Sequence, residues 1–225
     1  MELLMLRKIP LFAGLNDGEM QKVAKSGYIK VYTKGEVIIK HGDDGDAMYL
    51  ILDGNVKLAL FNEDGKTIVL SLLKKGDFMG ELSLLDRKAR SCSVTATSEC
   101  KLFILTQNLF YKLISEQPKI IFNILKEMTE RLRKADAKIG SLALLDVYGR
   151  IVQVLYDIAN DIGEETEQGI IIDQLPTHEE LADIVGTTRE TVTRVMMNIR
   201  KTGLIRYSND HKVILRNRMI RKRLS

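Results

Sequence analysis

The sequence of 225 residues has few of the soft metal ligands, with three histidines and two cysteines. Its two cysteines, Cys92 and Cys100, have no third or fourth thiol to complete a zinc or iron–sulfur set. Reduced thiols in a cytoplasmic protein are the expectation for such a pair. No run of 18 or more apolar residues occurs, so no transmembrane helix and no membrane partner are expected. The opening Met1-Glu2-Leu3-Leu4-Met5-Leu6-Arg7-Lys8 has neither a basic start nor a small-residue cleavage site, so no secretory signal is expected. His178-Glu179-Glu180 is not the H-E-x-x-H of a zinc protease. His41-Gly42-Asp43-Asp44-Gly45-Asp46 lacks the spaced ligands and the final bidentate glutamate of a calcium loop, and it reads as a turn between strands. Neither a Walker loop nor a nucleophile–base arrangement is found. These absences argue against an enzyme and against a metal site.

What the chain does have is an uneven charge. From Gly186 to Ser225, eleven basic residues face only Glu190 and Asp210, which gives +9 there and −5 in the remainder of a chain of net charge +4. A basic end on an acidic body suggests a polyanion partner. A solvated basic face would give the same excess.

Hydrophobic patterning divides the chain into three. A short helical lead-in over the first 20 or so residues is broken by Pro10, Gly14 and Gly18. Between Tyr28 and Leu105 short apolar or alternating runs recur, separated by glycines, and Asp53-Gly54 and Asp64-Gly65 are hairpin signals. This spacing predicts an antiparallel barrel or sandwich. A long helix follows Pro118. Its apolar positions Ile121, Leu125, Met128, Leu132, Ala135, Ile139 and Leu142 step by four and three in strict alternation, which favours the seam of two paired helices over the similar stripe of a single buried core helix. The seam stops at Asp146, where a hinge is placed. The remainder reads as a helix (about 147–160), an acidic loop (161–169), a short strand (170–172), two short helices and a hairpin. The domain boundaries expected are therefore 1–117, 118–145 and 146–225.

Two segments carry chemistry. Thr177-His178-Glu179-Glu180 is a capping box that opens a helix, with Leu181, Ile184 and Val185 as its apolar face and Ala182 small where a second helix must cross. Gly186 suits the left-handed turn, Thr187 or Thr188 caps the next helix, and Val192, Val195, Met196 and Ile199 form its inner face. The separations of Ala182, Gly186 and Val192 are those of a helix-turn-helix, whose second helix enters the DNA major groove. Thr188, Arg189, Glu190, Thr191, Thr193 and Arg194 are its candidate DNA contacts. Arginine can bond guanine bidentately and glutamate can accept from cytosine. Leu204–Tyr207 and Lys212–Leu215 pair across Ser208–His211 as a wing.

The second segment runs from Gly76 to Val94. A short helix after Gly80 would turn backbone amides to an anion. Arg90 adds a cation, Ser91 a hydroxyl, and Glu81 an acceptor for sugar hydroxyls. A plain surface ion pair of Glu81 and Arg90 is the alternative from residue types alone.

Three phrases, Gly80-Glu81-Leu82 followed by Arg90-Ser91-Cys92-Ser93-Val94, Leu145-Asp146-Val147-Tyr148-Gly149-Arg150, and Arg189-Glu190-Thr191-Val192-Thr193-Arg194, resemble in order and spacing the cyclic-AMP receptor protein family, the Crp/Fnr regulators. The likeness runs through most of the chain from about Leu11. It implies an α+β architecture: an N-terminal cyclic-nucleotide-binding β-roll (a double-stranded β-helix), a long dimerisation helix and a C-terminal winged helix-turn-helix. It also implies a cytoplasmic homodimer on a palindromic DNA site with TGTGA-like half-sites, with RNA polymerase as a further partner if the protein activates. Gly80, Glu81, Leu82, Arg90 and Ser91 would hold phosphate and ribose, and Arg131 lies where the family has an arginine near the ligand. Where cyclic-AMP members offer a Thr-Ser pair to adenine, this chain has Ala135 and Asp136. Asp136 can only accept. Cyclic AMP is the first expectation for the effector, with cyclic GMP and cyclic di-GMP next. A ligand-independent regulator and a redox or gas sensor are the further alternatives, with Cys92 a candidate redox residue. The iron–sulfur sensors of this scaffold use an N-terminal cysteine cluster, which this chain lacks. No metal or haem is expected.

Overall fold

The computed structural model describes residues 2–61, 67–173, 175–208 and 212–216. The chain forms two compact units, Met1–Lys134 and Ala135–Ser225. In the first, α1 (Glu2–Leu6), a single 3-10 turn (Pro10–Phe12) and α2 (Asp17–Lys25) precede the strands. Gly18, expected to break the lead-in, lies inside α2. A capping box there, with Asn16 accepting from the Glu19 amide and Glu19 accepting from the Asn16 amide, starts the helix one residue earlier and outweighs the glycine.

Strands β1 (Tyr28–Tyr32), β2 (Val37–Ile39), β3 (Ala47–Asp53), β4 (Asn55–Phe61), β5 (Thr67–Lys74) and β6 (Phe78–Met79) lead to α3 (Glu81–Asp86). Then come β7 (Ser93–Ala96), β8 (Cys100–Thr106), α4 (Gln107–Glu116) and the long α5 (Pro118–Leu144), which crosses from the first unit into the second. The strands make two antiparallel four-stranded sheets, ordered β1-β8-β3-β6 and β2-β7-β4-β5. This is the expected β-roll.

Strand β3 explains the layering. Successive side chains point to opposite faces. Met48, Leu50 and Leu52 join a core with Phe12, Val23, Phe110, Ile120 and Ile124, under the helices. Ile51 joins the core that also holds Val56, Val94, Ala96 and Leu102. Both faces are covered, so the strand reads as a continuous apolar run. Asp53-Gly54 is not a hairpin, contrary to expectation. β3 and β4 belong to different sheets, and Gly54 (φ 89°) is the corner between them. A Cβ there would lie 2.2 Å from the Glu99 carbonyl oxygen and 2.8 Å from Cys100 Cα. β4 and β5 do pair, from Asn55–Lys74 to Phe61–Thr67, while the hairpin expected at Asp64-Gly65 lies outside the described residues.

In the second unit, Asp146 caps α6 (Val147–Ile162) by accepting from the Gly149 amide at 2.7 Å. There follow β9 (Glu164–Thr166), β10 (Gly169–Ile172), α7 (His178–Val185), α8 (Arg189–Lys201), β11 (Ile205–Tyr207) and β12 (Val213–Leu215). The sheet order is β11-β12-β10-β9. The acidic segment expected as a loop over 161–169 is instead the end of α6 and a hairpin, with Glu164–Thr166 pairing to Gly169–Ile171. All three residues of β9 are exposed at the sheet edge, so no alternation marks the strand in the sequence. The wing strands β11 and β12 pair antiparallel, and Asn209–His211 lie outside the described residues.

Gly54→Ala should cost about 3 kcal/mol or more, because it adds a left-handed-region penalty to a backbone clash. Urea unfolding measures it, and a loss under about 0.5 kcal/mol would mean the corner is not under constraint.

Candidate functional site

Gly80 begins α3 in the left-handed region (φ 81°), where a Cβ would meet an Arg90 guanidinium nitrogen at 2.6 Å. Gly45 is as tightly placed, since its Cβ would lie 2.2 Å from that of Ser83 and 3.2 Å from Arg90 Cζ. Two glycines thus make room for one arginine. Arg90 is 5% exposed. Its Nη1 donates to the Gly80 carbonyl at 2.8 Å and its Nη2 to the Ala47 carbonyl at 2.7 Å. The Tyr49 ring lies 5.8 Å from the guanidinium carbon, and Asp46 is 3.9 Å from Nη2. The His41–Asp46 turn holds Arg90 by its backbone as well: Gly42 donates to the Arg90 carbonyl (3.0 Å) and Arg90 to that of Asp43 (2.8 Å). The sequence showed a turn here, but not that it wraps the arginine.

Glu81 is 2% exposed. One carboxylate oxygen, Oε1, meets Arg131 Nη1 at 3.2 Å, while Oε2 is buried with no hydrogen-bond partner. Arg131 also donates to the Phe78 carbonyl at 2.5 Å and to Glu127 at 3.3 Å, and it lies over the Phe78 ring. The surface ion pair considered for Glu81 and Arg90 is therefore absent: Glu81 pairs with Arg131, and both members of the cassette are buried. Ser91 is exposed beside Arg90, and Leu82 is exposed on α3. Ala135 and Asp136 fall in the second unit, exposed on α5, and their part in a pocket rests on the sequence alone.

Cys92 is buried next to this site, and desolvation raises its thiol pKa, which disfavours the reactive thiolate. Cys100 is fully buried, its S–H donating to the Asn55 carbonyl at 3.1 Å. Among the described residues no cluster of His, Cys, Asp or Glu could hold a metal ion, and no helix is long and apolar enough to cross a membrane.

The helix-turn-helix is built as its sequence implied. Thr177 and Glu180 form the capping box of α7, Gly186 (φ 70°) makes the turn, and Thr188 caps α8 through the Thr191 amide. Val192, Met196 and Ile199 are buried against Leu181, Ala182 and Val185. Arg189, Glu190 and Arg194 are exposed, with Thr191 half-buried. The Glu190 carboxyl is held below its ordinary value by its own backbone N–H and by the Thr188 hydroxyl. Thr193 has partners inside the motif: its hydroxyl donates to the Arg189 carbonyl and meets His178 Nδ1, both at 2.9 Å. It ties α7 to α8. Arg150 likewise reaches the carbonyls of Val185 (3.0 Å) and Leu145 (3.1 Å), a strut between α6 and the end of α7. Neither tie was visible in the sequence, because the partner groups are a distant hydroxyl and backbone carbonyls.

On α5, Ile120 and Ile124 are buried and Met128 is half-buried against the first unit's core. The other large seam residues, Ile121, Leu125, Leu132, Ile139 and Leu142, are exposed, Leu132 and Ile139 by 63% and 65%. Phe122, not counted in the seam, is also exposed beside Ile121.

Residues 29–117 match the cyclic nucleotide-binding domain and residues 149–219 the Crp-like helix-turn-helix domain. The chain is 34% identical over 179 residues to the cAMP-activated global transcriptional regulator CRP of Salmonella typhimurium, covering 79% of this chain and 85% of that protein. It is 31% identical to the cAMP-activated global transcriptional regulator Vfr of Pseudomonas aeruginosa, covering 83% and 89%. The structure of the c-di-GMP responsive global regulator CLP of Xanthomonas campestris shares the fold, with a TM-score of 0.77 at 24% identity over 90% of this chain and 100% of that one. A nucleotide-binding β-roll followed by a winged helix-turn-helix defines a ligand-responsive DNA-binding transcription regulator, and the relatives above are named as such regulators. The chain belongs to the cyclic-AMP receptor protein family, the Crp/Fnr regulators.

Burial pushes the Glu81 carboxyl pKa up, against the opposing pull of Arg131, its own backbone N–H and Arg90. A carboxyl raised on folding binds its proton more tightly in the folded state. Its contribution to stability is then fully present below the unfolded value and lost as pH rises through the folded one. Glu81→Gln should remove that loss and give a ligand-free protein more stable than the parent at neutral pH. Thermal melts from about pH 4 to about pH 8 check this, and parallel curves for the two proteins would contradict it.

Proposed function

We propose that this chain is a homodimeric regulator that binds cyclic AMP at Gly80, Glu81, Leu82, Arg90 and Ser91 and thereby gains affinity for a palindromic, TGTGA-like DNA site. The observation that carries this reading is the buried Glu81 Oε2 without a partner. A buried acceptor left unmade costs about 1–3 kcal/mol, and a ribose hydroxyl would satisfy it. Arg90, fixed by two carbonyls in the room that Gly45 and Gly80 leave for it, supplies the cation for a single phosphate charge.

The exposed seam on α5 would be covered by the same helix of a second copy. Pairing would set two recognition helices about 34 Å apart, one DNA turn. Arg189 and Arg194 would read guanine and Glu190 cytosine, with Thr188 and Thr191 nearby and Thr193 as the internal tie. The ligand acts by preferring the DNA-competent state, since equal binding to both states shifts nothing. RNA polymerase is the further partner if the protein activates.

A second reading concerns the base. Asp136, acceptor-only when ionised where cyclic-AMP members carry a hydroxyl, can accept from an adenine amino group or from the N1 and N2 hydrogens of guanine, and the second match suits cyclic GMP or cyclic di-GMP. Calorimetric titration with the three nucleotides separates the readings. Cyclic AMP should bind at micromolar affinity or tighter, and Arg90→Ala should weaken it by about 100-fold, the cost of a charge-assisted bond of about 3 kcal/mol. Absence of cyclic AMP binding with tight binding of a guanine nucleotide, abolished by Asp136→Ala, would transfer the function to that messenger. Binding of none would overturn nucleotide control.

Replacing Ile139 and Leu142 with aspartate should yield monomers in sedimentation and remove specific DNA binding with them. A stable monomer that still held a palindrome tightly would contradict the dimer mechanism.

A further inference from the structure

A second cleft lies on the other side of α3. Successive helical residues are turned by about 100°, so Ser83 points nearly opposite to Glu81. The cleft has a volume of about 440 Å³ and is lined by Asp44, Gly45, Ser83, Arg87, Lys88, Gln107, Asn108 and Tyr111. Its walls are fixed. The Gln107 amide donates to the Asp46 carbonyl at 2.7 Å, and the Tyr111 hydroxyl donates to the Leu84 carbonyl.

Four features of this cleft suit an anion. Ser83 is only 3% exposed, yet its hydroxyl has no hydrogen-bond partner among the described residues and it lines the cavity. Arg87 and Lys88 are exposed cations with no carboxylate within ion-pair distance among the described residues. Arg87 has φ 59°, the one non-glycine residue described with positive φ, so its side chain is presented at a cost in backbone energy. The N-terminus of α4, ten residues long, has no side-chain cap and no acidic residue in its first turn. Unsatisfied amides and the positive end of the helix dipole favour negative charge there. Asp44 at the margin is the single carboxylate of the lining.

We propose that the cleft between the end of α3 and the start of α4 is a second anion site that takes a phosphate group, separate from the Glu81–Arg90 pocket. Ser83 donates its hydroxyl, Arg87 and Lys88 neutralise the charge, and the amides of Asn108 and Leu109, next after the engaged Gln107 amide on α4, complete the shell. Two cations against one carboxylate in the lining fit a free phosphate or the phosphate of a small phosphomonoester rather than a polyanion.

The full-length protein, labelled with nitrogen-15, would be titrated with inorganic phosphate and separately with glycerol 3-phosphate while amide shifts are followed. Saturable shifts at millimolar concentration or below should centre on Lys88, Asn108 and Leu109, and the probe that saturates first identifies the source as free phosphate or monoester. Ser83→Ala loses a hydroxyl that has no partner in the fold, and Arg87→Gly relieves the positive φ, so both should fold. Each should weaken binding by about tenfold or more. Saturation by neither probe overturns the proposal. So does a response confined to Glu81, Arg90 and Ser91, or one unchanged in both variants.

Discussion

The ion pair between buried Glu81 and half-buried Arg131 is the contact on which the first unit's site depends. Glu81 starts α3 and Arg131 sits on α5, so a 3.2 Å contact joins the nucleotide cassette to the long helix. Arg131 also takes the carbonyl of Phe78, the first residue of the short strand β6 that leads into the cassette. An ion pair of this kind adds little net stability, because desolvation of the charges offsets their attraction. The arrangement therefore specifies position more than it stabilises. In the proposed mechanism this position matters, because whatever engages the second Glu81 oxygen alters the electrostatic balance around a residue gripped by α5.

The same economy runs through the rest of the molecule. Arg90 is held by two carbonyls and a wrapped turn before any ligand arrives, so little side-chain entropy remains to be lost on binding. In the second unit Thr193 and Arg150 bind partners inside the fold, which leaves Arg189, Glu190 and Arg194 as the exposed polar face of a rigidly seated helix. Hydrophobic periodicity builds the scaffold, and a few polar ties to backbone carbonyls set the functional groups upon it.

Much of this could be read from the sequence, for identifiable reasons. The capping box at Thr177 and the left-handed Gly186 are local signals, and both hold in the structure. The heptad stripe is a pattern within one helix: Ile121, Leu125, Leu132, Ile139 and Leu142 are exposed along α5, whereas Met128 packs into the first unit's own core. The misses share a cause. Asp53-Gly54 has the composition of a hairpin, but whether the flanking strands pair is decided by which sheet each joins. The strand Glu164–Thr166 is exposed on every residue, so nothing in its pattern distinguishes it from a loop. Gly18 was read as a breaker, when the capping box around it mattered more. At the site, the sequence supplied Glu81, Arg90 and Arg131 but not their pairing, since Glu81 and Arg131 are brought together only by the packing of α5 on the roll.

Ligand gating is a coupling free energy between two sites, and such coupling is reciprocal. The direct measurement is a linkage cycle: DNA affinity with and without cyclic AMP, and cyclic AMP affinity with and without the palindromic DNA. Gating through the Glu81–Arg90 pocket predicts that the two ratios are equal, well above one, and reduced to one in Arg90→Ala. Tight, specific DNA binding that is the same with and without nucleotide would contradict it.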